Sequence, residues 1–378
     1  MHVVHVGKYY SPYRGGIETV VEQLSRGMVR HGLQVSVVVS NDARSSVTET
    51  RDGVRVIRLA RAAVVKSQPL NLRLVATLRE LRCDLLHFHT PNPIGALGVL
   101  AARPRQPIVV SHHSDIVRQR FLRRLGTEVQ SMLYGRAACI VAATPRHVEY
   151  SPLLQRHLER CRVIHYPIDA SLYSSAPGDA DQELPDAFRS RGFALFVGRL
   201  VYYKGVAVLL EAMAVAPNAR LVVVGSGPLE GALIAQARAL GLEKRVIFLG
   251  EVSELLLRAL YQCSRFLILP SVEPSEAFGM VQLEAMASGR AVVSTDLRSG
   301  VPYVNQHEHT GLVVAPRDVA ALAAAIRKFF DDPDYCSRLG QNAVERVRRE
   351  FDLGQVVSQH ASLYEEVCGR HALGGRAS

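Results

Sequence analysis

The sequence predicts an α/β protein built from two doubly wound, Rossmann-like domains. Three observations carry this expectation. Short apolar runs of the kind that form buried parallel strands alternate with stretches of helical periodicity along the chain. The length of 378 residues exceeds one typical core and suits two. A polar, aperiodic stretch over 169–190 separates two such alternating series and reads as a linker.

The first series opens at Val3-Val4-His5-Val6, a strand that runs into the loop from Lys8 to Thr19. Gly15-Gly16 in that loop leads into an amphipathic helix over 17–30, stopped at His31-Gly32. A glycine pair at a strand-to-helix turn can wrap a phosphate or admit a sugar. Strands follow over 34–40 and 54–59, a helix around 69–81, and strands over 84–89 and 107–115. Open α/β sheets bind ligands at the carboxyl ends of their strands, so His113 and Asp115 stand where chemistry is expected. His87 and His89 read as structural. A strand over 139–143, a helix over 145–158 and a strand over 162–165 complete this domain, predicted to span 1–185.

The segment 116–125 places Arg118, Arg120, Arg123 and Arg124 among Ile116, Val117, Phe121, Leu122 and Leu125. Basic and apolar residues mixed at helical spacing read as an interfacial helix, whose arginines would meet lipid phosphates or an acceptor diphosphate. A solvated surface helix is the other reading. The linker holds a D-x-D, Asp179-Ala-Asp181, and with no strand around it this spacing is not read as a metal site.

The second domain, predicted over 190–350, opens with a strand ending at Gly198. Arg199 and Lys204 flank the turn that follows, two cations on one loop, and a helix over 206–216 comes next. As a turn cation Lys204 is expected to make few packing contacts. The next strand, 221–224, ends in Gly225-Ser-Gly-Pro-Leu-Glu-Gly231, which lacks the spacing and the distant acid of a dinucleotide fingerprint. A strand over 246–250 ends at Gly250. Then comes the stretch around which the chain is organised, Pro270 to Arg290, an acidic loop and a helix closed at Ser288-Gly289, preceded by an apolar strand over 265–269. That helix starts near Phe278-Gly279-Met280, where unpaired backbone N–H groups and the positive dipole end make an anion site. Glu276 lies just before this site and Glu284 about one turn beyond it. At ~1.5 Å per residue, Glu284 stands roughly 6 Å along the axis from the phosphate position. This is the reach of a sugar nucleotide: hexose near Glu276, diphosphate on the helix end, ribose near Glu284. A strand over 291–296, another over 311–314 and helices over 319–330, 337–350 and 353–368 end the chain.

Glu276 and Glu284, separated by seven residues, with Ala-Phe-Gly-Met after the first and Ala-Met-Ala after the second, resemble the motif of the family 4 retaining glycosyltransferases of the GT-B fold. The resemblance extends to the Gly15-Gly16 loop, to Arg199 and Lys204, and to the strand end at Gly250. It departs after Gly300-Val-Pro, where Tyr303-Val-Asn-Gln stands in place of the acidic residue of many relatives. What the resemblance implies is an interdomain cleft and a last helix, within 351–378, that crosses back to the first domain. It implies that Arg199 and Lys204 bind the diphosphate, that His113 contacts the donor sugar (with His112 adjacent, the register stays open), and that Gly198, Gly250, Phe278, Gly279 and Met280 line the donor site. The reaction implied moves a hexose from a nucleoside diphosphate to an acceptor hydroxyl with retained configuration and without a metal or other cofactor. The sequence around 275–287 and 301–307 looks most like mannosyltransferases that build bacterial surface polysaccharides on lipid carriers, suggesting GDP-mannose as donor and a lipid-linked glycan as acceptor.

Bulk properties agree with this setting. Hydrophobic residues make up 48%, with no apolar run near the ~20 residues of a membrane span. The chain enters a strand at once, which predicts no signal peptide. Six scattered cysteines without a C-x-x-C pair read as reduced, mostly buried thiols. Residues 1–190 hold 25 Lys/Arg against 16 Asp/Glu, whereas 191–378 hold 20 against 19. A basic first half suggests an anionic partner surface. Without aromatic-basic interleaving or a nucleic-acid motif, that surface is read as membrane, placing the protein in the cytoplasm against the inner face of the cytoplasmic membrane. The rival readings are a UDP-sugar-dependent transferase of the same fold, a GT-B sugar-nucleotide epimerase, and a non-catalytic membrane or polysaccharide binding module. The last would not need Arg199, Lys204 and Glu276 together.

Overall fold

The computed structural model describes residues 1–13, 15–65, 68–115, 120–174 and 192–374. The chain forms two compact units, one of Met1–Pro167 with Leu353–Ser378 and one of Ile168–Asp352.

The first unit carries an eight-stranded sheet of β1 (His2–Val6), β2 (Gln34–Ser40), β3 (Val47–Arg51), β4 (Val54–Leu59), β7 (Leu85–Thr90), β8 (Ile108–His112), β9 (Cys139–Ala142) and β10 (Cys161–Val163). Its order is β10-β9-β8-β7-β1-β2-β4-β3. All neighbours are parallel except β3, which runs antiparallel to β4. The remaining two strands, β5 (Ala63–Val65) and β6 (Gln68–Leu70), form a separate antiparallel hairpin. Both sheet faces are covered, so the strands read as nearly continuous apolar runs. Val4, Val6, Leu86, Phe88 and Val110 pack on one face with the helices Leu74–Glu80 and Pro93–Ala102. Val3, Val37, Leu85 and Val109 pack on the other with Val356, Val357 and Tyr364 of the last helix, Leu353–Gly374. That helix lies along the helix Gly16–Arg30, close enough that a Cβ on Gly27 would sit 2.5 Å from Val357.

The second unit carries a six-stranded, wholly parallel sheet of β11 (Ala194–Val197), β12 (Leu221–Val224), β13 (Val246–Gly250), β14 (Phe266–Leu269), β15 (Ala291–Thr295) and β16 (Gly311–Val314). Its order is β13-β12-β11-β14-β15-β16. The order reverses between β11 and β14, and the crevice outside their carboxyl ends is where a doubly wound sheet takes its ligand. Every residue of β11, β12, β14 and β15 is buried.

Three local expectations need correction, and one strand carries no signal in the sequence. The helix expected around 69–81 begins only at Leu74, because Pro69 and Leu70 belong to β6. The helix expected over 145–158 is broken into Pro145–Tyr150 and Pro152–Gln155. Pro152 has no N–H to continue a helix, and the Ser151 side chain instead caps the second one at Leu154. β3, an exposed VTETR edge strand, has no apolar pattern that could announce it. The helix expected from 337 starts at Pro333, with the Asp332 side chain accepting from the Tyr335 N–H, and widens into a π turn over Val347–Phe351. All six cysteines are free; Cys139 and Cys336 are buried and the other four half-buried. No helix of the described residues is long and apolar enough to cross a membrane.

Candidate functional site

The second unit brings the two loops at its switch point together. After β11 the chain makes a single 3-10 turn, Tyr202–Lys204, and closes it at Gly205 with φ +70°. A Cβ at Gly205 would stand 2.0 Å from the Pro270 carbonyl oxygen, so only glycine lets this turn press against the end of β14. That close approach sets Lys204 beside the acidic loop. Its Nζ lies 2.6 Å from Glu276 Oε2. The Ser271 hydroxyl donates to the same oxygen at 3.1 Å, and the Thr295 hydroxyl donates to the Ser271 carbonyl at 2.5 Å. The Lys204 and Glu276 side chains are 12% and 10% exposed. This corrects the expectation of a loosely packed turn cation: Lys204 is a largely buried partner in an ion pair. Burial works to lower its pKa, but the Glu276 carboxylate outweighs it and the net shift is upward. Arg199 is exposed at the start of the same loop.

Beyond Glu276 the chain turns at Gly279, φ +74°, and starts the helix Met280–Ala287. A Cβ there would meet Leu269 Cδ2 at 2.6 Å. Phe278 is 3% exposed and packs edge-on against Phe351, rings 6.3 Å apart, so what it offers a ligand is backbone. Met280 is half-buried. One turn along, Glu284 is half-buried and accepts the Tyr261 hydroxyl on Oε2 at 2.6 Å. Burial raises the Glu284 carboxyl pKa, against the lowering effect of that bond. Gly198 and Gly250 stand at the ends of β11 and β13, the two strands that flank β12, Gly250 with φ +66° and its carbonyl accepting the Gly225 N–H at 2.7 Å. Beside it the Ser226 hydroxyl donates to Glu251 Oε1 at 2.6 Å. Arg199, Lys204, Glu276, Gly279 and Glu284 therefore share one edge of one sheet, as their sequence spacing anticipated. Tyr261, Ser271, Thr295 and Glu251 were missed, because a single polar residue in an apolar run carries no spacing signal.

The first unit holds a different arrangement. His5 Nδ1 lies 2.9 Å from His89 Nε2, His89 Nδ1 lies 3.0 Å from His113 Nε2, and His113 Nδ1 lies 2.5 Å from the Tyr166 hydroxyl. His87 is held between Tyr364 (2.6 Å) and Ser111 (2.8 Å), in keeping with a structural role. Ligand atoms of His5, His87 and His89 lie within 4.8 Å of one another, a spacing a metal ion could use. The nitrogens of His87 and His89 are already matched to partners, however, so the group is a hydrogen-bonded column. Burial, reinforced by neighbouring imidazoles, lowers His5 and His113 to about 3 and His87 and His89 well below the usual histidine range. Both ring nitrogens of His113 are thus engaged inside the protein, not presented to a ligand. His112 is buried too, its Nδ1 2.8 Å from the Tyr134 hydroxyl. Asp115 accepts the Ser151 hydroxyl at 2.9 Å.

At the Gly15-Gly16 turn, Gly15 caps the helix Gly16–Arg30. The Glu18 carboxylate folds over it, 2.2 Å from where a Gly15 Cβ would be, and so holds the place an anion would take. Arg118 lies outside the described residues, as do the side chains of Arg120, Arg123 and Arg124 in the helix Arg120–Arg136, and Asp179 and Asp181 in the linker. On that same helix Leu125 and Met132, seven residues apart on one face, are 59% and 63% exposed.

Comparison with known proteins gives a consistent result. A family model described as Glycosyltransferase Family 4 matches residues 14–172, and one described as Glycosyl transferases group 1 matches residues 183–346. The chain is 37% identical to a D-rhamnosyltransferase, WbpZ, of Pseudomonas aeruginosa, over 93% of this chain and 92% of that protein. It is 31% identical to the O-antigen chain mannosyltransferase C of Escherichia coli, over 96% of this chain and 98% of that one. Among solved structures, Anabaena HepE in complex with UDP-glucose superposes with a TM-score of 0.79 at 22% identity, over 97% of this chain and 100% of that one.

Proposed function

This chain belongs to the family 4 glycosyltransferases of the GT-B fold, and on that premise we propose that it transfers a D-manno-configured hexose from a GDP-sugar to a hydroxyl of a lipid-linked surface glycan, with retention. The observation that carries the reading is the Lys204–Glu276 pair in the loops before the helix Met280–Ala287, with Glu284 about one turn along that helix. The two relatives act on mannose and on rhamnose of the D series, sugars that share an axial hydroxyl at C2.

Before donor binding, Lys204 and Glu276 neutralise each other. A diphosphate arriving at the helix end offers Lys204 and Arg199 roughly two negative charges, which releases the Glu276 carboxylate to accept from hexose hydroxyls. The helix N–H groups and the two cations then stabilise the departing diphosphate as the glycosidic bond breaks, the task a metal performs in other transferases. Glu284 takes the ribose. The acceptor hydroxyl attacks from the face the diphosphate leaves, through an oxocarbenium-like state, and gives its proton to the departing diphosphate oxygen. Glu18 over Gly15 favours a sugar, rich in hydroxyl donors, over a phosphate at the glycine pair of the first unit.

A panel of GDP-mannose, GDP-D-rhamnose, UDP-glucose and UDP-galactose, scored by thermal shift and by slow release of free nucleotide, tests the donor. Stabilisation by the first two alone, with release unaffected by EDTA, is expected. A site built to pair one axial hydroxyl rejects an analogue that leaves its groups unpaired. A preference for UDP-glucose would overturn the donor assignment, and EDTA-sensitive release restored by Mn²⁺ would overturn the metal-free mechanism. Conversion to an epimer without acceptor would make the protein an epimerase.

The basic first half, with Leu125 and Met132 exposed on the helix Arg120–Arg136 that also holds Arg120, Arg123 and Arg124, supports peripheral association with an anionic membrane at its cytoplasmic face. Replacing Arg118, Arg120, Arg123 and Arg124 by Ser is expected to weaken binding to anionic vesicles by ~1 kcal/mol per charge. Unchanged co-sedimentation would assign those arginines elsewhere.

A further inference from the structure

Tyr261 sits in the helix Glu254–Cys263 with its side chain wholly buried, and its hydroxyl donates to Glu284 Oε2 at 2.6 Å. Its place is well fixed. Ser253 caps the helix at the Leu256 N–H, the Ser264 hydroxyl donates to the Tyr261 carbonyl at 2.9 Å, and the ring meets Tyr173 edge-on at 6.2 Å. A phenylalanine would fill this volume equally well, and a buried hydroxyl is costly unless it is bonded. Among the described residues the one hydrogen bond the hydroxyl makes is to the carboxylate. Glu284 Oε1, by contrast, has no hydrogen-bond partner among the described residues.

We propose that Tyr261 is a positioning residue of the donor site: it holds Glu284 in one orientation with Oε1 ready to accept from the ribose hydroxyls, without itself touching the nucleotide. This rests on the reading that the helix Met280–Ala287 takes a nucleoside diphosphate. A carboxylate that has lost half its water needs a replacement donor to remain a single, oriented acceptor, and a charge-assisted bond from a fixed phenol supplies one. The groups facing Glu284 are Tyr261, Arg258 and Glu254 of the helix Glu254–Cys263, Lys204 of the turn Tyr202–Lys204, and Tyr173, which stays neutral. Burial and Glu254 favour its protonated form, whereas Tyr261, Lys204 and Arg258 favour the carboxylate. Removing the phenol hydroxyl tips this balance towards the acid, which presents an O–H where an acceptor is needed.

The test uses the full chain and calorimetric titration with three probes: whichever of GDP and UDP the wild type binds more tightly, the 2′,3′-dideoxy form of that nucleotide, and inorganic pyrophosphate. Tyr261→Phe is expected to weaken nucleotide binding about 10-fold, the scale of one charge-assisted bond, while pyrophosphate binding stays within about twofold. It should also erase the preference for the ribo over the dideoxy form, with the deficit growing as pH falls. Glu284→Gln, which keeps a partner for the phenol, should erase the same preference without the pH dependence. An unchanged ribose preference in either variant would overturn the proposal, as would an equal loss of pyrophosphate and nucleotide binding in Tyr261→Phe. A wild type that binds none of the three probes would overturn the site reading itself, and this inference with it.

Discussion

Lys204→Ala is expected to lower turnover by on the order of 10²-fold or more and also to destabilise the second unit. The first effect follows from removing a preorganised charge from the leaving diphosphate, where charge develops as the bond breaks. The second follows from the 2.6 Å pair: with Lys204 gone, Glu276 is left in a largely buried position with only the Ser271 hydroxyl as donor among the described residues. Losing one partner of such a pair costs on the order of 3 kcal/mol. The two effects separate in the double variant Lys204→Ala with Glu276→Gln, which removes the orphaned charge. Its thermal midpoint is expected to return most of the way to wild type while activity stays absent. Single-variant activity within twofold of wild type, measured as nucleotide release, would remove Lys204 from the chemistry. A double variant as unstable as the single one would show that the pair does not set the local stability.

A steep loss of stability in mild acid, confined to the first unit, is the second large expected effect. His5, His112, His113 and His147 are lowered to about 3, His360 to about 4, and His87 and His89 well below the ordinary value, in every case first by burial. The folded pKa values thus lie below the unfolded value of about 6.5. Between the two, the unfolded chain binds more protons, so stability is full above about pH 7 and falls as pH drops through 6.5. At pH 5.5 the linkage is on the order of 1 kcal/mol per histidine, so that the group together contributes an appreciable part of the stability of a domain. Denaturant unfolding at pH 7.5, 6.5 and 5.5, with hydrogen exchange to separate the units, is expected to show the first unit failing while the second holds. A first-unit midpoint that is flat over this range would mean that the imidazoles find room to be charged.

Much of this was legible because two doubly wound sheets write themselves plainly. Strands buried on both faces need continuous apolar runs, and β2, β4, β12, β13 and β16 fall where those runs predicted them. The site was legible where chemistry demands spacing: Glu276, Gly279 and Glu284 are tied by the rise of a helix, and Lys204 by the turn after β11. What did not show is whatever depends on partners far apart in sequence. Nothing in the chain says that Lys204 is buried against Glu276, since that rests on Gly205 meeting Pro270. Nor does it say that His113 spends both nitrogens on His89 and Tyr166, because imidazoles at strand ends look alike whether they face a ligand or one another. β3 was hidden for a third reason: an exposed edge strand is held by backbone bonds, which side-chain patterning does not encode.

The placement of the last helix bears on the order in which the protein is made. Leu353–Gly374 completes the core of the first unit, with Val357 against Gly27 and Tyr364 bonded to His87 across 277 residues of chain. As synthesis proceeds from the amino end, Ile168–Asp352 has emerged in full before that helix exists. The second unit can close on itself first, whereas β1, β2 and β7 wait with one face bare. Closing so long a loop costs little more than closing one of half its length, since the entropy grows only with its logarithm, and a folded second unit shortens the gap further. The first half of the chain to be synthesised is therefore the last to be finished.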